Sequence, residues 1–103
     1  MAKLPSSFRD KNRTTRQFRE LFHHLPKHVQ ELTRGACILF DKGPTHRSFR
    51  LHELEDTKKG QHVPGSFSVS ITMQYRAIYV IDGGINVWYW IGTHADYDTF
   101  TGG

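Results

Sequence analysis

Cysteine is almost absent from the sequence, since Cys37 is the only one among 103 residues. A single cysteine cannot form an intramolecular disulfide, which excludes a disulfide-stabilised scaffold, and we expect it to fill a small buried position on a helix. No apolar run approaches the roughly 18 residues of a membrane span. Residues 1–13 lack the apolar middle of a signal peptide. We therefore expect a cytoplasmic protein with no membrane partner.

Acidic residues are also scarce, with 10 Asp and Glu against 14 Lys and Arg, which gives a net charge of +4 and a pI of about 9.5. Small basic proteins tend to bind nucleic acid, an anionic surface or an acidic partner. The hydrophobic content of 37% is that of a globular protein. The length predicts a single domain over residues 1–103. Its first part, residues 1–13, has few apolar anchors and predicts a basic, mobile arm or a short edge strand around Ser7–Arg9.

The first half of the chain predicts a pair of helices. Apolar residues follow a helical period from Phe18 to Leu25, with Thr14 or Thr15 as the N-cap. Pro26 ends this helix and suits the first turn of a second one, which Gly43 terminates. The two helices should share one apolar side.

The stretch from Ser66 to Asp98 predicts three antiparallel strands, and Ser48–Leu54 a fourth, shorter one. Phe67, Val69 and Ile71 alternate with serines, so one face of that strand should be wet. Asp82-Gly83-Gly84 suits a tight hairpin. A strict two-residue period in Ile85–Ile91 would place Trp88 and Trp90 on the same face. The predicted fold is α+β, with a two-helix hairpin on one face of an antiparallel sheet of about four strands.

Arg76 is the first candidate for chemistry, because it is a lone charge in an apolar strand. Its guanidinium could bind a phosphate, or it could pair with a carboxylate such as Asp96 or Glu53. The residues themselves leave both open.

A polar cluster after the last strand is the second candidate. His94 could act as an acid or base, Asp96 could orient it, and Tyr97 could donate a hydrogen bond or stack on a base. The same residues, which begin at Thr93, could equally form a capping turn with a surface histidine and a packed tyrosine.

A basic segment is the third candidate. It could bind RNA, or it could be an ordinary solvated loop. No metal site is expected, because Pro26 breaks the helix between His24 and His28. The segment contains His46, Arg47, Arg50, His52, Lys58, Lys59 and His62.

The sequence resembles the RelE/ParE superfamily, toxins of type II toxin–antitoxin systems, over roughly residues 14–98. The resemblance rests on five stretches of sequence, and the set is more specific than any one of them. They are FRELF with LP and VQ at residues 18–30, HRSFR with two leucines at 46–54, SVSI at 68–71, YRA at 75–77 and WYWIGTHADY at 88–97.

The resemblance implies a ribosome-dependent mRNA endonuclease that inhibits translation without a metal or other cofactor. Its partners would be a cognate antitoxin, the ribosome and mRNA, with operator DNA reached only through the antitoxin complex. Carried over by position, Arg76 would hold the phosphate, and His94, Asp96 and Tyr97 would be catalytic or stacking groups. RNA would lie against the basic segment, at His46, Arg47, Arg50, His52, Lys58 and Lys59.

The chain departs from this family at Ser70, where relatives usually carry an arginine. The resemblance therefore implies the loss of one phosphate contact. Two alternatives stay open: a non-catalytic, ParE-like gyrase inhibitor, and a catalytically weakened member that mainly binds its antitoxin.

Overall fold

The computed structural model describes residues 6–56 and 59–102. The chain forms α1 (Ser6–Lys11), β1 (Asn12–Thr14), α2 (Arg16–His23) and α3 (Lys27–Lys42). A 3-10 turn at Arg47–Phe49 and β2 (His52–Glu53) follow. The remaining elements are β3 (Phe67–Ser70), β4 (Tyr75–Asp82), β5 (Ile85–Thr93) and α4 (His94–Thr101).

The strands form one sheet in the order β1-β5-β4-β3-β2. Strands β2 to β5 make the predicted antiparallel meander, while β1 adds a parallel edge strand beside β5. The predicted α+β architecture, with the α2–α3 hairpin against one face of the sheet, is confirmed. No helix within the described ranges is long and apolar enough to cross a membrane.

Both helices begin as their sequences predict. Thr15 caps α2, since its side chain accepts a hydrogen bond from Phe18 N at 3.1 Å. Pro26 precedes α3, and Gly43 follows its last residue. Cys37 lies on α3 and packs against the core. Burial raises the pKa of its thiol to about 11, although Arg34 opposes the shift.

The prediction of an arm over residues 1–13 was wrong for residues 6–13, which form α1 and most of β1. Phe8 is buried in the main core and supplies the missing anchor. Asn12 is buried as well, and its side-chain oxygen accepts a hydrogen bond from Trp88 Nε1 at 2.8 Å. One aromatic side chain and one buried amide therefore hold this segment against the sheet.

A β-bulge in β5 overturns the predicted alternation of its side chains. Tyr79 pairs with Trp88 but Ile78 pairs with Trp90, so Tyr89 is the extra residue. Trp88 consequently joins the helix-covered core, and Trp90 joins a second core on the opposite face of the sheet. The prediction that both tryptophans lie on one face of the sheet was wrong, because it assumed a strict two-residue period along β5.

The second core also explains why the predicted wet face of β3 is dry. Ser66, Ser68 and Ser70 are all buried, because the opposite face is covered as well. A helix, α4, supplies part of that cover where a short terminal turn was expected. The Ser66 hydroxyl lies 2.6 Å from that of Tyr89, which also accepts from Val63 N at 2.9 Å.

Candidate active site

A cleft of about 410 Å³ opens where the β3–β4 turn meets the start of α4. It brings together five of the predicted site residues from three separate parts of the chain. We call it the basic cleft, because three arginines and two histidines line it. Its lining consists of His46, Arg47, Ser48, Arg50, Ser70, Thr72, Met73, Arg76 and His94.

Arg76 reaches this cleft from β4, where it pairs directly with Ser70 of β3. Its guanidinium carbon lies 5.1 Å from the centroid of the Tyr97 ring, and Nη1 lies 3.4 Å from Ser68 Oγ. The alternative of an ion pair with Asp96 or Glu53 was wrong, since no carboxylate in residues 6–56 and 59–102 lies within 4.0 Å of this guanidinium. A cation held by a ring and a hydroxyl keeps its charge available to an anionic ligand.

His94 is the first residue of α4, and Thr93 caps the helix. The Thr93 hydroxyl accepts from Asp96 N at 3.1 Å, while His94 N donates to Gln74 O at 2.8 Å. The capping turn is therefore real, and it also fixes the histidine at the cleft. A capping turn and a chemical role for His94, the two alternatives that the sequence left open, are therefore compatible with the same geometry.

The carboxylate beside His94 belongs to Asp98 and not to Asp96. His94 Nε2 lies 3.4 Å from Asp98 Oδ1, since residues four apart on a helix are neighbours. Asp96 sits in the first turn of α4, where a carboxylate favours the positive end of the helix dipole. The Thr93-x-x-Asp96 spacing could have revealed this helix, and with it the pairing of residues 94 and 98.

Tyr97 packs against residues that line the cleft but does not line the cleft itself. It is only 7% exposed, and its ring contacts Arg76, His94 and Trp90, the last two at centroid distances of 5.9 and 6.2 Å. A ring enclosed in this way is poorly placed to stack on a base. Its catalytic role stays a prediction, whereas its contact with Arg76 is a structural fact.

The basic segment contributes His46, Arg47 and Arg50 to the cleft. His46 Nδ1 lies 2.7 Å from Ser48 Oγ and accepts from Ser48 N at 3.2 Å, so Nε2 is the nitrogen left for a ligand. Arg50 adopts a left-handed backbone conformation with φ of 46°, which is unfavourable for a residue with a Cβ. Such strain tends to occur at functional sites.

The other predicted basic residues lie away from the cleft lining. His52 belongs to edge strand β2, and its Nδ1 lies 2.9 Å from Arg50 O. Lys59 lies beside Gly102, past the end of α4, which is roughly 12 Å along the helix from His94. Lys58 lies outside the described residues. His62 is buried, and its Nε2 lies 2.7 Å from Glu55 O.

Sequence reasoning did not find Ser48, Thr72 and Met73, which also line the cleft. A hydroxyl or thioether in a loop carries little signal by itself, and only the fold places these residues beside Arg76. Within the described ranges, no three His, Cys, Asp or Glu side chains are grouped as ligands for a metal ion.

Comparison with solved structures places this geometry in a known fold. The YoeB/ParE toxin from Agrobacterium tumefaciens matches with a TM-score of 0.61 at 15% identity, over 82% of this chain and 98% of that one. YafQ from E. coli matches with a TM-score of 0.58 at 13% identity, over 84% and 96%. The chain has a RelE/ParE-like toxin fold.

The same fold also occurs in a toxin–antitoxin complex, RelBE2 from Mycobacterium tuberculosis. That structure matches with a TM-score of 0.54 at 23% identity, over 82% of this chain and 96% of that one. No protein-family model matches the sequence, and no curated protein matches it either. The RelE/ParE-like fold, which the sequence resemblance over residues 14–98 implied, is thus shown by structural similarity at identities of 13–23%.

Proposed function

We propose that this chain is the toxin of a type II toxin–antitoxin system and that it cleaves mRNA on the ribosome. One observation carries the proposal: Arg76, which has no carboxylate partner among residues 6–56 and 59–102, shares a cleft with two histidines, His46 and His94. RNA cleavage needs a cation for the scissile phosphate and groups that exchange protons on either side of it.

The reaction is a transesterification within the RNA. The 2′-oxygen forms a bond to phosphorus, the bond from phosphorus to the 5′-oxygen breaks, and a 2′,3′-cyclic phosphate remains. His94 takes the proton of the 2′-hydroxyl, and neighbouring Asp98 stabilises the resulting imidazolium. His46 acts as the imidazolium, with its Nδ1–H donating to Ser48 Oγ. It gives the Nε2 proton to the leaving 5′-oxygen and becomes neutral. The proton count therefore balances across the two histidines.

Arginines stabilise the charge that develops on the phosphate. Arg76 offers a fork of donors that matches two phosphate oxygens, and Arg47 and Arg50 line the same cleft. Flanking phosphates of the mRNA would bind these outer cations. Ser70 lies opposite Arg76 and supplies no charge, so a modest rate is expected.

The proposed partners follow from charge and fold. An acidic antitoxin segment that folds on binding would complement a cleft containing three arginines. The RelBE2 structure, which shares this fold, is a toxin–antitoxin complex. We accordingly expect co-expression with the cognate antitoxin to restore growth and to block access to the cleft.

The test is a purified translation reaction in which mRNA ends are mapped and their chemistry is determined. Wild-type protein should cut mRNA only when ribosomes are present and leave 2′,3′-cyclic phosphates. Arg76→Ala and His94→Ala should each lower the cleavage rate by roughly 10²-fold or more. His24→Ala, at the end of α2 and outside the cleft, is the matched control and should retain full activity.

Two outcomes would reject the proposal. Double-strand DNA breaks with intact mRNA would identify a gyrase inhibitor. Normal growth on strong induction of folded protein, with no cleavage by the wild type, would identify a member that only binds its antitoxin.

A further inference from the structure

A second hollow, of about 230 Å³, lies where α1 and β1 meet the α2–α3 hairpin. We call it the hairpin hollow. It shares no lining residue with the basic cleft, so a ligand bound there is independent of the proposed RNA cleavage. At about 30 Å³ for each water-sized group, the hollow has room for a chain of roughly eight such groups.

Aromatic rings form most of the wall of the hairpin hollow. Phe8 and Phe18 are buried in the main core, and both line the hollow. The half-buried ring of Phe22 stacks on that of Phe18, with the two centroids 6.3 Å apart. The Thr33 hydroxyl also reaches the hollow, but it already donates to Val29 O at 2.7 Å. Walls of this kind suit an alkyl chain, which gains free energy by leaving water.

Two arginines line the hairpin hollow, and they differ in their partners. Arg34 forms an ion pair with Glu31 at 2.8 Å, and its guanidinium carbon lies 5.3 Å from the centroid of the Phe22 ring. Arg19 forms no ion pair with any carboxylate in the described part of the chain, and its Nη1 donates to Thr14 O at 2.7 Å. The hollow therefore presents one guanidinium whose charge is unmatched.

The contact with Thr14 determines which part of the Arg19 guanidinium is left for a ligand. Because Nη1 is occupied, Nε and Nη2 remain as two parallel donors. Such a fork matches the two oxygens of one carboxylate. At Arg19 and Thr14 the hollow adjoins a groove of about 490 Å³, which Arg9, Arg13 and one acidic residue, Asp10, also line. An anionic group is therefore favoured at this end of the hollow, and an apolar chain against the rings.

We propose that the hairpin hollow binds a single-chain alkyl carboxylate of about eight carbon atoms. The alkyl chain lies against the rings of Phe18 and Phe22, and the carboxylate accepts hydrogen bonds from Nε and Nη2 of Arg19. Because the walls come from α1, β1 and both helices of the hairpin, the bound chain holds the first segment of the protein against the hairpin. A ligand that binds only the folded state also stabilises it as the ligand concentration rises.

The first test titrates three probes into the full chain and measures their affinities by calorimetry. Octanoate should bind about tenfold or more tightly than acetate, which lacks the chain, and than octyltrimethylammonium, which reverses the charge. Arg19→Gln should weaken octanoate binding by about tenfold or more. Arg16→Gln makes the same charge change on the same helix, at a side chain that is 88% exposed and outside the hollow, and should bind octanoate like the wild type.

A second measurement locates the bound chain. Isotope-filtered NMR spectra should show NOEs from the methylene protons of octanoate to the rings of Phe18 and Phe22. NOEs to His46 or His94 instead would place the ligand in the basic cleft and overturn the inference.

Three results of the titrations would also overturn it. One is equal octanoate affinity in the wild type and Arg19→Gln. Another is tighter binding of octyl phosphate than of octanoate, since the hollow would then select a phosphate. The third is no octanoate binding up to about 10 mM, and a dimer in sedimentation would then identify a second copy of the chain as the occupant.

Discussion

The guanidinium carbon of Arg76 lies 5.1 Å from the centroid of the Tyr97 ring. This contact joins β4 to α4, and it orients the only arginine of the basic cleft that comes from the sheet. The ring face attracts the cation without neutralising it, as a carboxylate would. The charge of Arg76 therefore stays available at the cleft while its position is fixed.

Substitution of Tyr97 separates this supporting role from a catalytic one. Tyr97→Phe keeps the ring and should retain mRNA cleavage close to the wild-type rate. Tyr97→Leu loses a cation–π contact worth roughly 0.5–2 kcal/mol and should lower the cleavage rate by about 2- to 30-fold. Equal losses in the two variants, measured as initial rates in the translation reaction, would instead assign catalysis to the hydroxyl.

Ser70→Arg tests whether the cleft lacks a cation. Ser70 lines the cleft and pairs with Arg76 across the strands, so an arginine there adds a fourth guanidinium to the cleft, beside that of Arg76. We expect cleavage to rise by about tenfold, while stability falls by more than the roughly 0.2–1 kcal/mol that like charges across the strands cost, because Ser70 is buried and the new arginine is partly desolvated. Ser70→Ala is the control and should leave the cleavage rate unchanged. A lower cleavage rate for Ser70→Arg in correctly folded protein would refute the idea that Ser70, in place of the usual arginine, costs the cleft a phosphate contact.

Arg50→Gly should uncouple stability from RNA binding. Glycine tolerates the φ of 46° at this position, so the free energy of unfolding should stay constant or rise by up to about 1 kcal/mol. Loss of the cleft cation should weaken RNA binding and make it less dependent on salt. Denaturant unfolding and salt titrations of RNA binding measure the two effects. Arg50→Lys keeps both the positive charge and the strained backbone, so it should behave like the wild type.

Tyr89→Phe should destabilise the bulge of β5. The hydroxyl accepts from Val63 N at 2.9 Å and lies 2.6 Å from Ser66 Oγ, so its removal takes one acceptor from Val63 N, while Ser66 Oγ still donates to Val63 O. We expect a loss of about 0.5–1.5 kcal/mol in the free energy of unfolding. Tyr75→Phe, at a half-buried tyrosine on β4, provides the comparison in the same denaturant experiment. A cost below about 0.5 kcal/mol for Tyr89→Phe would show that water replaces the hydroxyl.

Cys37 should make stability fall at alkaline pH. Burial raises the pKa of its thiol from 9.0 to about 11, so the folded protein holds the proton to higher pH than the unfolded chain. Its stabilising contribution is complete below pH 9 and is lost as the pH rises toward 11. Unfolding of wild type and Cys37→Ala from pH 8 to 11 should converge as the pH rises. Alkylation of the folded thiol should be far slower than that of an exposed one.

The sequence by itself determined the helical hairpin and the strands of the meander. Thr15, Pro26 and Gly43 set the helix boundaries through local chemistry, and Asp82-Gly83-Gly84 set one hairpin, so short-range patterns were sufficient. The sequence also singled out Arg76 and His94, because a lone charge in an apolar strand and a histidine after a strand end stand out in a linear pattern.

Tertiary structure decided the features that depend on distant neighbours. The bulge at Tyr89 reversed the faces of the β5 aromatic residues, and no local signal in the sequence marks an extra residue in one strand. Burial of Phe8 turned the predicted arm into α1 and β1. Only the fold carried His46 and Arg50 to Arg76 and left His52 and Lys59 outside the cleft. Sequence periodicity describes one element at a time, whereas a site depends on which elements pack together.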